Sequence, residues 1–428
     1  MPEWTNWTGD RRCAPAAVET PRDEAEVAGA VRRAREAGRT VRVAGAGHSF
    51  SDVVPTDGVL LRLDAFDRVL DADAASGLAR VQAGITLHAL GPALAAHGLG
   101  LENQGDIDAQ TLAGALATAT HGTGARFRNL SANVVGMRLV DGRGEVVELT
   151  DPEDLRAARV ALGALGVVTE VTLRCVPLYG LRRVDEPQPI DATLARLDEL
   201  VAVHDHLELF AFPHTNTTMV RRTERVGADV RSTPRWRVRL QEDVLENAVL
   251  GAFSRAGRRR PRATPRLNRT LMRLASRSER EDLAYRVYAS RRAVRFTEME
   301  YALPRDHGRE AVERVLETIA RRRLATGFPL EVRFVAPDDA LLSPAHERAT
   351  CYVAIHQYRG MPFEALFAAA EEIFDGYGGR PHWGKRHTQT AQTLAPRYPR
   401  WDAFARARDR LDPDRVFTNE GVRRVLGA

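Results

Sequence analysis

Three stretches of this chain, and one residue pair, carry side chains that could do chemistry. AGAGHSFS, residues 44–51, is a glycine-rich turn that follows the alternating run TVRVAG. Such a turn presents backbone N–H groups to phosphate oxygens. His48 lies inside it, exposed enough to act as a nucleophile toward a cofactor. ENQGDIDAQTLAGALATATHGTG, residues 102–124, is rich in Gly, Ala and Thr. Its small side chains allow close backbone approach to a flat ligand, and Thr, His and Gly offer hydrogen bonds. LEVRF puts Glu331 and Arg333 two apart on a predicted strand, hence on one face, with Val332 and Phe334 on the other. GGRPHWGKRHTQT, residues 378–390, holds Lys385 beside His382, Trp383 and His387. A weaker glycine-containing segment, GALGVVTEVTL at 163–173, precedes a strand. Each has a plainer alternative: a tight turn, close helix–sheet packing, an exposed ion pair, a surface lysine. Two glycine-rich segments in one region point to a large nucleotide cofactor. They do not make a nicotinamide-type Rossmann fingerprint. Gly45 and Gly47 give G-x-G, but Phe50 stands where the third glycine belongs, and loop then strand follow instead of a helix.

The elements that must position these groups read as mixed helix and strand. Residues 20–38 predict a helix, with Thr20 as N-cap, Pro21 in the first turn and Gly38 at the end. Residues 40–45, 59–63 and 79–84 read as strands, 86–97 as a helix with an internal Gly-Pro, and 111–120 as a tightly packed helix. VVGMRLVD, GEVVELT and VVTEVTLRCV add strands, with DGRG at 141–144 as a hairpin turn. Beyond Pro177, residues 190–203 predict one helix and 206–213 a strand, and 222–270 are rich in Arg and Pro. RRRPRATPRLNR (258–269), the most basic stretch, reads as a solvated loop or cap surface rather than a phosphate or membrane contact. FTEMEYALP (296–304), FPLEVRFVAP (328–337) and CYVAIHQY (351–358) predict strands. Residues 308–323 and 363–378 predict helices.

Composition sets the outer bounds. The chain has 428 residues, enough for two or three domains, with 44% hydrophobic and 28% charged residues. That balance excludes a disordered or low-complexity chain. The net charge of +5 rests almost wholly on arginine, since Lys385 is the only lysine. We read this as the mark of a GC-rich genome and expect no nucleic-acid partner; +5 over this surface steers polyanions weakly. No run reaches the ~18 apolar residues of a membrane span, and MPEWTNWTGD has no secretory pattern. Cys13, Cys175 and Cys351 show no CxxC zinc pattern and are expected to be buried thiols in a reducing cytoplasm, with no metal site.

GAGHSFSD, GLENQGD, ATATHGTG, GALGVVTEVTL, RFTEMEYA, EVRF, RPHWGKRHTQTA and LDPDRVFTN, in this order, resemble the FAD-linked aldonolactone oxidases and dehydrogenases. These belong to the vanillyl-alcohol-oxidase superfamily, and the likeness extends to the actinobacterial L-gulono-1,4-lactone dehydrogenases; alditol oxidases share the same motifs. The resemblance runs over nearly the whole chain. It implies an α+β, two-domain flavoprotein of vanillyl-alcohol-oxidase type: a PCMH-type FAD-binding domain (1–175), an α+β substrate-binding cap (176–395) and a C-terminal tail (396–428) returning to the first domain. It implies covalent FAD at His48, with Val43, Ala44, Gly45, Ala46, Gly47, His48 and Ser49 around the pyrophosphate. Asp106, Gly114, Thr118, Thr120, His121, Val168 and His382 would line the FAD, and Gly105 would sit where oxygen access is gated. Glu331, Arg333 and Lys385 would act on the substrate, a sugar lactone, with a polyol as the alternative. Alditol oxidases place a serine where this chain has Asp106, which speaks against a polyol. The electron acceptor would be oxygen or a cytochrome or dye, and membrane contact at most peripheral.

Overall fold

The computed structural model describes residues 3–240, 247–290 and 292–428. Near the N-terminus, strands Ala17–Glu19, Val59–Leu61 and Val41–Val43 form a parallel three-stranded sheet. Helix Glu24–Glu36 buries Val27, Ala28, Ala30, Val31 and Ala34 beside them. It starts later than the sequence predicts. Asp23, not Thr20, is the cap, its carboxylate accepting from the Glu26 N–H, because an Asp three residues before a Glu satisfies the free N–H groups better than a Thr before proline. A second, antiparallel sheet of five strands covers Val69–Asp73, Leu78–Gln82, Val134–Val140, Val146–Glu148 and Val167–Arg174. The helix predicted over 111–120 is only Leu112–Ala117, because Ala119 adopts φ 58° and turns the chain away.

A third, eight-stranded antiparallel sheet runs from Gly180 to Pro381. Its order is 278–283, 180–189, 217–226, 206–211, 330–335, 350–358, 296–304, 380–381. Alternation along these strands sends Leu209, Val332, Phe334, Val353, Ile355, Met299 and Tyr301 to one face, where helices Gly308–Arg321 and Glu364–Asp375 cover them. The opposite face is polar and also buried: every residue of Phe296–Leu303 is inaccessible.

The helix predicted over 190–203 is broken at Arg196 into Ile190–Ala195 and Leu197–Val203. RRRPRATPRLNR is helical rather than loop. It spans the end of helix Leu250–Arg259 and most of Thr264–Leu274, which turn Ser254, Gly257, Asn268 and Met272 inward and their arginines outward. Residues 241–246 of the Arg- and Pro-rich stretch, and residues 1–2 of the N-terminal segment, lie outside the described residues. Cys175 and Cys351 are buried thiols, whereas Cys13 is only half-buried.

Helices Trp401–Leu411 and Glu420–Leu426 bring Phe404, Ala407, Leu411 and Val425 into the same core as Val81, Leu112 and Val171. Buried Arg42 fastens this return, its guanidinium donating to the carbonyls of Val53, Leu162, Gly163 and Phe417. Burial, helped by Arg408 and only partly opposed by Asp412, pulls its pKa down to about 10.

Candidate active site

The turn after strand Val41–Val43 borders a large, open cleft of about 1320 Å³. Residues 43–49 form one side; Gly114, Thr118 and Val168 contribute to the other. Among the described residues, the N–H groups of Gly45, Ala46, Gly47, His48 and Ser49 donate to no protein acceptor. Gly47 has φ 73°, and a Cβ on Gly45 would collide with Thr111 Oγ1 at 2.3 Å. Free N–H groups on a glycine backbone facing a large, mostly apolar cleft fit a dinucleotide with its pyrophosphate at the turn. His48 stacks on Trp7 with ring centroids 5.4 Å apart. Burial lowers its pKa, and the Lys385 charge lowers it further, so the ring stays neutral and keeps a free nitrogen lone pair.

Five other residues expected at the cofactor stand just outside the lining of this cleft. Thr120, His121, Gly105, Asp106 and His382 do not line this cleft. Thr120 accepts a hydrogen bond from Gln110. Gly105 packs against the His121 carbonyl, where a Cβ would come within 3.1 Å. Asp106 borders a polar cavity of about 440 Å³ together with Glu208, Arg221, Tyr288 and Arg333.

That cavity meets the polar face of the eight-stranded sheet, and strand register explains what stands there. Arg333 pairs with Glu208 on one side and Tyr352 on the other; Glu331 pairs with Phe210 and Ala354; Ala354 pairs with Glu300, and His356 with Glu298. Charged groups from four strands therefore ring the small Ala354. Arg333 donates to Glu208 at 2.5 Å, pairs with Glu331 and approaches Asp106 at 3.5 Å. Asp106 also pairs with Arg292. Burial favours a neutral Asp106, but Arg292 and Arg333 outweigh it and hold the carboxyl well below its usual range. Glu208 is held at about 2 against its burial by Arg333 and Arg221. Glu331 goes the other way: burial raises it, Arg333 opposes, and Glu208 and Asp106 then push it well above the ordinary value. Asp106 and Glu208 each have a second arginine, Arg292 and Arg221, whereas Glu331 shares Arg333 with both of them, and this crowding together with burial favours its neutral form.

Lys385 Nζ lies 2.6 Å from Glu298 Oε2 and above the Phe50 ring. Burial disfavours its charge, but Glu298 and Glu300 more than offset this and keep it an ammonium. His356 Nε2 stands 3.4 Å from Glu298 and 3.8 Å from Glu331. His121, stacked on Tyr352, faces Glu300 at 3.3 Å, with His382 close by. His121, Glu300 and His382 place metal-ligand-type atoms within 4.8 Å of one another. The Gly384 N–H donates to His382 Nδ1, however, so Nε2 of that ring carries the hydrogen. Its outer nitrogen is a donor, which suits a hydrogen-bonded cluster better than a metal centre.

Sequence reasoning missed Glu208, Arg292, Glu298, Glu300 and His356. The two glutamates were within reach: FTEMEYALP spaces them as LEVRF spaces its pair. Arg292, one arginine among dozens, carried no signal.

Known proteins resemble this chain over its length. The sequence profile described as D-arabinono-1,4-lactone oxidase matches residues 171–425, and the one described as FAD binding domain matches residues 15–150. L-gulono-1,4-lactone dehydrogenase of Mycobacterium tuberculosis is 53% identical over 426 residues, covering 100% of this chain and 99% of that protein. L-gulonolactone oxidase of Mus musculus is 30% identical, covering 99% and 98%. Alditol oxidase of a Streptomyces species is 33% identical, covering 99% and 98%. The crystal structure of cholesterol oxidase from B. sterolicum superposes with a TM-score of 0.81 over 99% of this chain and 96% of that one, at 17% identity, a likeness of fold.

Proposed function

The chain belongs to the D-arabinono-1,4-lactone oxidase family, and from that premise we propose that it oxidises the CH–OH carbon beside the carbonyl of an L-gulono- or D-arabinono-1,4-lactone to an ascorbate-type product. The observation that carries this is a large cleft bordered by a glycine turn with free N–H groups, together with a buried, charge-dense polar sheet face. The division at residues 175 and 395 into FAD domain, cap and returning tail is part of this reading. So is work in the cytoplasm, with membrane contact at most peripheral. No helix among the described residues is long and apolar enough to cross a membrane.

FAD, when bound, supplies the hydride acceptor. Residues 43–49 would hold its pyrophosphate, and Asp106, Gly114, Thr118, Thr120, His121, Val168 and His382 would line the rest of it, with Gly105 beside them. Arg333 orients an oxygen of the lactone through its guanidinium. Glu331 holds substrate hydroxyls or aids proton removal, and its raised pKa favours the first role, donation of a hydrogen bond to a substrate oxygen. Lys385 holds positive charge where negative charge develops as hydride leaves the substrate. The electron acceptor is oxygen, admitted beside Gly105, or a cytochrome or dye.

Side-by-side turnover of L-gulono-1,4-lactone, D-arabinono-1,4-lactone and xylitol tests the substrate class. The lactones are expected to react at least tenfold more efficiently, because Asp106 is an anion already engaged by two arginines and has no hydroxyl to share with a polyol. Preference for xylitol would make the protein an alditol oxidase instead.

His48 is expected to bond to the flavin 8α-methyl carbon, on the strength of its neutral ring and its place at the cleft. Acid precipitation should leave the yellow colour in the pellet, and His48→Ala should release it while the protein stays folded. Colour fully in the supernatant of the wild type would rule the bond out.

A further inference from the structure

At the end of the polar sheet face, beyond His356, four arginines converge on an open surface pocket of about 860 Å³. Arg255 and Arg258 come from helix Leu250–Arg259, Arg295 from the residue before strand Phe296–Pro304, and Arg359 from the residue after strand Thr350–Tyr358. All four are exposed. Among the described residues none has a carboxylate partner, and no carboxylate lines the pocket. Arg258 sits over the Tyr358 ring at 5.6 Å. Arg359 borders the loop that carries Trp7, close enough that a Cβ on Gly9 would meet its guanidinium at 3.2 Å.

The floor of this pocket leads inward through packed rings. Val294 and Tyr358 rest on a cluster of Phe50, Phe296 and Phe328, joined by Trp7. Phe296 is the cross-strand partner of Tyr358. Its ring lies 5.5 Å from that of Trp7, and Trp7 lies 5.4 Å from His48. A mouth lined by arginines thus connects, through contiguous aromatic side chains, to the histidine at the cofactor cleft.

We propose that the four-arginine pocket is the docking site of an anionic electron acceptor. The inference rests on the flavoenzyme reading above and names the chemistry of its acceptor. Oxidation of CH–OH to C=O releases two electrons and two protons. The protons go to solvent, and two molecules of a one-electron acceptor each take one electron. Four exposed guanidinium groups with no carboxylate partner among the described residues raise the local concentration of such an anion and speed its encounter. Their planar donors suit carboxylate, phosphate or cyanide-complex acceptors.

The test uses the full chain loaded with FAD and reduced photochemically, so that no lactone is needed and failure of the substrate assignment cannot be mistaken for failure of the docking site. Stopped-flow reoxidation is then measured with ferricyanide and with a neutral benzoquinone, in wild type and in the double variants Arg258→Glu/Arg359→Glu and Arg255→Glu/Arg295→Glu. The ratio of the ferricyanide rate constant to the quinone rate constant is expected to fall tenfold or more in each variant. The steep salt dependence of the wild-type ferricyanide rate should flatten. Equilibrium dialysis of ferrocyanide against the oxidised protein should show binding to wild type that the variants lose. A ratio within twofold of wild type in both variants, or undiminished ferrocyanide binding, would overturn the proposal.

Discussion

Arg333→Met is expected to retain FAD and lose lactone oxidation, with flavin reduction slowed about 30- to 1,000-fold. That range corresponds to ~2–4 kcal/mol of transition-state stabilisation lost with one charged, preorganised donor. The surroundings of Arg333 sharpen the expectation. It is the shared cation of Glu208, Glu331 and Asp106, so removing it leaves Glu208 with Arg221 and Asp106 with Arg292. Carboxylates so deprived should take up protons at higher pH than before. The variant should therefore lose stability as well, by an amount on the order of 3 kcal/mol for a broken buried pair. Stopped-flow reduction at matched flavin content separates the two effects. Arg333→Lys keeps the charge but not the fork that reaches three carboxyls, and it should recover stability better than rate. Near wild-type reduction by Arg333→Met would show that the arginine serves folding alone.

Lys385→Met is expected to slow flavin reduction by roughly 100-fold, about 2.7 kcal/mol, again with FAD retained. The ammonium is buried, paired at 2.6 Å with Glu298 and placed over Phe50. It also acts electrostatically on His48, which puts it near the cofactor end of the cleft. Hydride arrival leaves negative charge that this ammonium offsets. Without it, Glu298 is a buried carboxylate left with His356 alone and repels that charge, so both changes act in the same direction. Lys385→Arg should recover only part of the rate, because a planar guanidinium occupies more space than an ammonium. Combining Lys385→Met with Glu298→Gln should recover some of the loss by removing the stranded carboxylate. Reduction of Lys385→Met at the wild-type rate would refute the role.

How much of this was legible beforehand follows the range of the physics involved. The turn at 44–51 could be read from five residues, since phosphate-binding backbone depends on glycine and on the strand before it, both local in sequence. Alternation in LEVRF likewise placed Glu331 and Arg333 on one face, opposite Val332 and Phe334, because the side-chain period of a strand is an intrinsic property. Helix ends were less secure. Asp23 displaced Thr20, and Ala119 cut short a ten-residue expectation, each by a competition among neighbouring residues that differ little in propensity.

What no local pattern contains is which strands become neighbours. Glu208, Glu298 and His356 reach Arg333, Lys385 and Glu331 only because strands far apart in the chain lie side by side in one sheet, in a register set by packing Val332, Val353 and Met299 against two helices. A shift of one residue would have turned every one of these charges into that apolar core. The protonation of Glu331 belongs to the same level: in LEVRF it is an ordinary carboxylate beside an arginine. Burial on the sheet face, and then the arrival of Glu208 and Asp106 from two other parts of the chain, push its pKa well above the ordinary value. Residue types and local spacing thus set the chemistry available to this protein, while long-range strand pairing decided which groups share a dielectric and hence what each of them can do.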